Sequence, residues 1–383
     1  MKLKLILKDG TEIAGESFGY WPKENKSKFH KTKIGEPTKG HFFADGEVVF
    51  NTGMVGYPET FTDPSYRGQI LVCTYPMIGN YGIPGECKLD TSLSKRFESL
   101  KIHLRGLVIS EYCEEPSHWE SKKTLSDFLI KHKIPAIKGV DTRALTQKLR
   151  EHGVMLGKIA DETISYDKNM IFDDPNINNL VAEVSVKKKT VLKPKGKPKA
   201  TAILYDCGIK HNIIRSFLDR GIKLIRLPWD YDLKSVKEKY DGVFVSNGPG
   251  DPETVDKTVE NMKWAMKENK TIFGICLGCQ VMGIAAGAKT YKLKYGHRSA
   301  NQPCVDEKTG RCYITSQNHG YVINPKTLPK GWKVWFKNAN DGTVEGIKHI
   351  NKPWFSVQFH PEASPGPEDA AYLFDYFIER ISK

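Results

Sequence analysis

From Ala202 onward, short apolar runs alternate with amphipathic stretches, and this rhythm narrows the possible folds more than any other feature of the chain. Ala202-Ile-Leu-Tyr205, Lys223 to Leu227, Gly242-Val-Phe-Val-Ser246 and Thr271 to Ile275 read as strands. Between them, Asn212 to Asp219, a polar stretch around Ser235 to Tyr240, and Thr254 to Glu268 read as helices. The last of these carries Val255, Val259, Met262 and Met266 on one stripe. Such alternation builds a parallel sheet covered on both faces. Sheets of that kind take their ligands outside the carboxyl ends of the strands. Two of those ends are chemically distinctive. Asn247-Gly-Pro-Gly-Asp-Pro252 follows the third strand, and the fourth runs into Gly274-Ile-Cys276-Leu-Gly278.

The second of these has the pattern G-x-C-x-G, the cysteine form of a nucleophile elbow, in which a strained strand-to-helix turn lifts the nucleophile above a sheet. The turn crowds the backbone, so glycines on both sides of Cys276 are expected. The helix that follows aims its N-terminal dipole at the sulfur and is expected to favour thiolate. A core cysteine packed between two glycines is the plain alternative. A thiolate nucleophile also needs a base, an orienter for that base, and donors for the oxyanion. Phe355-Ser-Val-Gln-Phe-His360 ends an alternating strand, and Glu362 is placed to hold the imidazole tautomer. The backbone N–H of Leu277 is the expected first oxyanion donor and that of Gly248 the second. Gln317-Asn-His-Gly-Tyr321 reads as a polar loop suited to the polar parts of a substrate.

The first half of the chain has a different texture. Leu3, Leu5 and Leu7 alternate before Asp9-Gly10, which reads as a hairpin. Gly46 to Phe50 is a further strand, followed by a glycine- and proline-punctuated loop through Tyr66. Gln69–Tyr75 and Leu104–Ser110 are short strand-like runs, and Asp141 to Gly153 is a capped helix. Residues 1–183 are therefore expected to form a mixed, strand-rich domain, residues 184–200 a Lys/Pro-rich linker, and residues 201–383 an α/β domain. The net charge of +13 does not indicate nucleic-acid binding. The segments Val184–Ala200 and Pro22–Lys39 together carry +11 of it, and no recognition signature accompanies them. No apolar run is long enough to span a bilayer. The eight cysteines have no disulfide-framework spacing, so a cytoplasmic setting is expected.

Taken together, Asn247-Gly-Pro-Gly-Asp-Pro, Gly274-Ile-Cys-Leu-Gly-x-Gln280 and His360-Pro-Glu-Ala resemble the class I (triad) glutamine amidotransferases. Phe50-Asn-Thr-Gly-Met-Val-Gly-Tyr, Thr62-Asp-Pro-Ser-Tyr66, Gly139-Val-Asp-Thr-Arg143, Gln317-Asn-His-Gly and His360-Pro-Glu-Ala-Ser-Pro-Gly-Pro367 narrow this to the small subunits of glutamine-dependent carbamoyl phosphate synthetases. The resemblance covers nearly the whole chain. It implies glutamine hydrolysis through a γ-glutamyl thioester, with Cys276 as nucleophile, His360 as acid/base and Glu362 as its orienter. It also implies oxyanion donors at Gly248 and Leu277, and glutamine contacts at Ser65, Gly250, Gln280, Asn318, Gly320 and Tyr321. It further implies that ammonia passes through a tunnel to a large ATP-using partner subunit. In that heterodimer, carbamoyl phosphate is made from bicarbonate for arginine and pyrimidine synthesis. ATP and Mg are expected on the large subunit, with no cofactor or metal in this chain.

Two departures stand against the family pattern. Cys279 occupies a position where histidine is common, and Pro22–Lys39 is longer than the usual hairpin connection. Cys276-x-x-Cys279 also matches a redox pair, which raises the possibility of a bridge under mild oxidation. A zinc site using Cys304 and Cys312 is disfavoured by their spacing.

Overall fold

A computed structural model describes residues 1–21, 42–85 and 93–382. The lysine-rich Pro22–Lys39 stretch lies outside the described residues. Two units divide the chain. One comprises Met1–Thr62, Tyr66–Arg96 and Leu100–Pro175; the other comprises Asp63–Ser65, Phe97–Ser99 and Asn176–Lys383.

In the N-terminal unit, Leu3, Leu5 and Leu7 are fully buried on a strand, Lys2–Leu7, that pairs antiparallel with Glu12–Gly19 through the Asp9-Gly10 turn. These two strands belong to a closed barrel that continues through Pro135–Lys138, Gly106–Val108, Gln69–Cys73, Phe42–Asn51 and Met155–Asp161. Closure removes the sheet edges that would otherwise invite aggregation. The expected helix forms over Thr142–His152, with the Asp141 side chain accepting from the Ala144 N–H. The loop expected before Tyr66 is partly helical. Tyr57–Thr62 makes a short helix that buries Tyr57 and Phe61, a tertiary gain that outweighs the local proline and glycine signals.

The C-terminal unit is built on one ten-stranded sheet. Its strands are β1 (Thr190–Leu192), β2 (Ala200–Asp206), β3 (Ile222–Pro228), β4 (Gly242–Val245), β5 (Thr271–Ile275), β6 (Thr290–Asp306), β7 (Cys312–Ile323), β8 (Trp332–Asn338), β9 (Val344–His349) and β10 (Trp354–Val357), in the order β1-β3-β2-β4-β5-β10-β9-β8-β6-β7. The centre, β3-β2-β4-β5-β10, is parallel as the strand–helix rhythm predicts. Both flanks are antiparallel.

Alternation along the central strands feeds both faces. Phe244 and Phe273 meet Phe217 of α1 (His211–Asp219) and Phe374 and Phe377 of α4 (Tyr372–Ile381). Val243, Val245 and Ile272 share a cluster with Val259 and Met262 of α2 (Asp256–Lys267) and Val281 and Met282 of α3 (Leu277–Ala286).

Three local expectations differ from the structure. The polar helical stretch near Ser235 is only a single 3₁₀ turn, Leu233–Ser235, because its sequence offers no apolar stripe to hold a longer helix. The 184–200 segment is not a bare linker. Asn176 already belongs to the C-terminal unit, and β1 lies inside the segment as an edge strand. Main-chain pairing on one side is enough for an edge, so its lysines can stay solvated. Gln317–Tyr321 is a stretch of β7, not a loop.

Candidate active site

The apex of the site is made by a backbone that only a tight turn tolerates. Cys276 has φ 55° and ψ −106° and stands at the N-cap of α3, while its own N–H donates to the Val357 carbonyl on the neighbouring strand at 2.8 Å. Left-handed φ in a non-glycine residue costs on the order of 1–3 kcal/mol and persists only where the surroundings fix it. The flanking glycines are what permit it. A Cβ on Gly274 would sit 2.5 Å from the Gly278 carbonyl oxygen, and one on Gly278 would sit 2.2 Å from that of Val245.

The thiol is buried, and its Sγ lies 3.7 Å from the Asn318 carbonyl oxygen. Its pKa is pushed well above the ordinary thiol value, first by burial and then by the carboxylates of Asp63 and Glu362. The Leu277 N–H pulls the other way and does not prevail. The thiolate expected from the helix dipole is therefore corrected: at rest the sulfur is a thiol, because desolvation and two anions outweigh one helix end.

β10 is the neighbour of β5, and the chain beyond it carries His360. His360 is buried and tied to β7, its N–H donating to the Ser316 carbonyl at 2.8 Å. Its Nδ1–H donates to Glu362 Oε1 at 2.6 Å, while Nε2 is buried and has no hydrogen-bond partner among the described residues. An imidazole anchored through Nδ1 with Nε2 uncommitted is arranged to move a proton.

Sequence reasoning missed the group that makes this couplet possible. Lys210, also buried, lies 3.1 Å from Glu362 Oε1 through Nζ and bonds the Ala363 carbonyl as well. Burial alone would raise the Glu362 pKa, but Lys210 and then His360 hold it down to about 2. Lys210 answers in kind. Burial alone would lower its pKa, yet Glu362 leads the anions that lift it above the ordinary value. The only hint in the sequence was position, because Lys210 lies just past the carboxyl end of β2, where ligand-facing residues gather.

The remaining predicted residues are placed as follows. Ser65 Oγ accepts from Asn247 Nδ2 at 2.9 Å, which brings the Asn247-Gly248 turn to a residue from the chain's first half. Gly248 packs so closely that a Cβ there would lie 2.1 Å from the Cys207 carbonyl oxygen and 2.8 Å from Leu277 Cδ2. Gln280, on the first turn of α3, donates to the Tyr321 carbonyl at 2.8 Å, so Tyr321 meets it through the backbone. Asn318 Nδ2 donates to Asp63 Oδ2 at 3.0 Å. Gly320 lies next to Tyr321 on β7 with Arg298 beside it. Gly250 has φ 85° and packs on Leu180. Cys276, Leu277, Gln280, Asn318, Gly248 and Ser65 are thus linked by contacts, while Gly250 joins them only through its turn.

Among the described residues, one cluster could offer metal ligands. His297 Nδ1, His319 Nε2 and a Glu345 oxygen lie within 4.8 Å of one another. Glu345 Oε1 lies 3.1 Å from His297 Nδ1 and 3.7 Å from His319 Nε2. The His297 nitrogens are already bonded to Glu345 at 3.1 Å and Asp341 at 2.9 Å. The group therefore reads as an ion-pair network. Cys304 and Cys312 do not converge, since Cys304 is opposite Tyr313 and Cys312 opposite Val305, which puts them on opposite faces of the β6–β7 ladder.

Both halves of the chain resemble known proteins. Residues 5–159 match the family described as carbamoyl-phosphate synthase small chain, CPSase domain, and residues 203–380 match glutamine amidotransferase class-I. The chain is 49% identical to the carbamoyl phosphate synthase arginine-specific small chain of Saccharomyces cerevisiae, over 88% of this chain and 83% of that one. It is 45% identical to the same-named chain of Neosartorya fischeri, over 93% of this chain and 78% of that one. It is also 53% identical to the multifunctional protein CAD of Squalus acanthias, over 90% of this chain, but it spans only 16% of that relative's length. No helix among the described residues is long and apolar enough to cross a membrane.

Proposed function

We propose a function from one premise: the chain belongs to the family of carbamoyl-phosphate synthase small chains, with a class I glutamine amidotransferase domain in its second half. On this reading it hydrolyses glutamine to glutamate and ammonia through a thioester on Cys276. It hands the ammonia to a large ATP-using partner that makes carbamoyl phosphate from bicarbonate. The partner, not this chain, would hold ATP and Mg. The product would feed arginine or pyrimidine synthesis.

The observation that carries the reading is the His360–Glu362 couplet, with Nε2 uncommitted, on the chain that leaves the strand beside the Cys276 elbow. The chemistry follows from the resting thiol. As Sγ attacks the γ-carbonyl carbon, His360 Nε2 takes the thiol proton, and the carbonyl oxygen gathers charge near the N–H groups of Leu277 and Gly248. Collapse breaks the C–N bond, and His360 returns the proton to the departing ammonia. Water then attacks the thioester, giving one proton to His360, and the C–S bond breaks as that proton returns to sulfur. Glu362, held anionic by Lys210, stabilises the imidazolium in both halves.

Glutamine mixed with wild-type protein and quenched in acid should leave a glutamyl adduct on Cys276 that mass spectrometry detects. Cys276→Ala should form no adduct and release no ammonia from glutamine. Unchanged ammonia release by that variant would overturn the reading. Purification from source cells should bring down a large ATP-binding chain; a fully active lone chain would remove the partner from the proposal.

A further inference from the structure

Behind the triad lies a buried acid that the reaction itself does not use. Glu98 is fully buried in the three-residue segment Phe97–Ser99, which belongs to the C-terminal unit although Arg96 and Leu100 on either side of it do not. Its contacts converge on the residues that hold Glu362. Glu98 Oε2 accepts from the Asn212 N–H at 3.0 Å, and its carbonyl accepts from the His211 N–H at 2.9 Å, so it seats the first turn of α1 directly after Lys210. Asn212 Nδ2 in turn donates to the Glu362 carbonyl at 2.5 Å. Glu98 Oε1 accepts from Ser364 Oγ at 2.7 Å and from Arg215 Nη2 at 2.7 Å.

The Ser364 end of this network has little freedom of its own. Ala363 and Ser364 both hold left-handed backbone, with φ 55° and 53°, a conformation that surrounding bonds must maintain. Lys210 feels the same acid, since Glu98 is among the anions that support its charge against burial.

We propose that Glu98 is a positioning residue for glutamine hydrolysis: by clamping the start of α1 and the loop after Glu362 together, it keeps Glu362 and Lys210 in register with His360. This rests on the glutaminase reading above. A buried carboxylate serving only the fold could have paired with Arg215 alone. This one divides its bonds between the start of α1 and the loop that follows Glu362. Misplacement of a supporting group by a fraction of an ångström is felt in turnover more than in substrate binding.

The experiment uses the protein with its partner chain and measures glutamine hydrolysis. Glu98→Gln, which keeps the shape but not the charge, should lower kcat by about tenfold while leaving KM for glutamine nearly unchanged. Ser364→Ala should lower kcat in the same manner but less. The double variant should lose less than the product of the two effects, because both act through one loop. Glu98→Asp should recover part of the loss. If Glu98→Gln lowers only the melting temperature and leaves kcat intact, the proposal is wrong. If Glu98→Gln does not fold, a Ser364→Ala variant with wild-type kcat overturns it on its own. Absence of glutaminase activity in the wild-type complex would instead count against the functional reading.

Discussion

Two of the buried histidine–carboxylate couplets in the C-terminal unit differ in a way that residue type alone does not show. In one, His360 bonds Glu362 at 2.6 Å through Nδ1 and leaves Nε2 uncommitted. In the other, His297 bonds Glu345 at 3.1 Å through Nδ1 and Asp341 at 2.9 Å through Nε2. The first has a ring nitrogen available for a proton in transit. The second has none and acts as a cationic staple joining β6, β9 and the turn before β9. The difference lies in bonding capacity left over. A couplet that satisfies itself stabilises the fold, and one that does not is available for chemistry.

The largest test of that contrast is His360→Asn, which keeps a polar side chain but no proton shuttle. Turnover of glutamine should fall by about 10³-fold, with the melting temperature little changed. His297→Gln should reverse the pattern. It leaves Glu345, a fully buried carboxylate, without the imidazole that bonds it at 3.1 Å and with His319 at 3.7 Å, so denaturation should report a loss of about 3 kcal/mol or more. The kcat measured below the melting range should stay close to wild type. Equal turnover losses in the two variants would erase the distinction.

Next in size is Lys210→Met. Without its ammonium, Glu362 has only His360 against the cost of burial, and turnover should drop by about 10²-fold as the couplet loosens. The same pair contributes to stability on the acid side. The Glu362 pKa lies at about 2 in the folded protein against 4.5 unperturbed, so the stability it contributes is full above 4.5 and fades as pH falls toward 2. Denaturant titrations should show that slope in wild type and a shallower one in Lys210→Met. His297 works at the other end. Burial alone would lower its pKa, but Asp341 and Glu345 lift it to about 9 from 6.5. Its contribution is complete below 6.5 and is lost as pH rises toward 9. His297→Gln should flatten that alkaline decline, and an unchanged slope would mean the staple is not charged.

The half of this contrast that was readable in the sequence is the half built from neighbours along the chain. Gly274, Cys276 and Gly278 sit within one turn, and His360 and Glu362 within one loop, so local spacing carried their geometry. Lys210 was not readable, because its meaning depends on which strand end lies beside Glu362. Ser65 gave no local sign that it bonds Asn247, and its own surroundings resemble ordinary turn chemistry. Gln317–Tyr321 was misread as a loop because its polarity looked like exposure. It is instead a β strand whose carbonyls serve Gln280 and the thiol. The staple escaped notice for the same reason as Lys210: His297 and Glu345 meet only after β6 and β9 take their places around β8.

The smallest expected effect concerns Cys279, the cysteine nearest Cys276 in sequence. Its Sγ accepts a hydrogen bond from Ser356 Oγ at 3.1 Å, and burial pushes its pKa up to about 12. Cys276 Sγ faces the Asn318 carbonyl instead. Disulfide formation needs a thiolate to attack, and neither sulfur is one at rest. Peroxide should therefore act on wild type and Cys279→Ser slowly and at the same rate, because oxidation also follows thiolate character and Cys279 adds none. Cys279→Ser should keep wild-type turnover, with a stability loss of about 1–2 kcal/mol from the added polar group in an apolar setting. Slower inactivation of Cys279→Ser, together with a diamide-induced loss of two titratable thiols in wild type alone, would show that the two sulfurs do bridge. Cys279 would then be a redox brake on Cys276 and not a packed core residue.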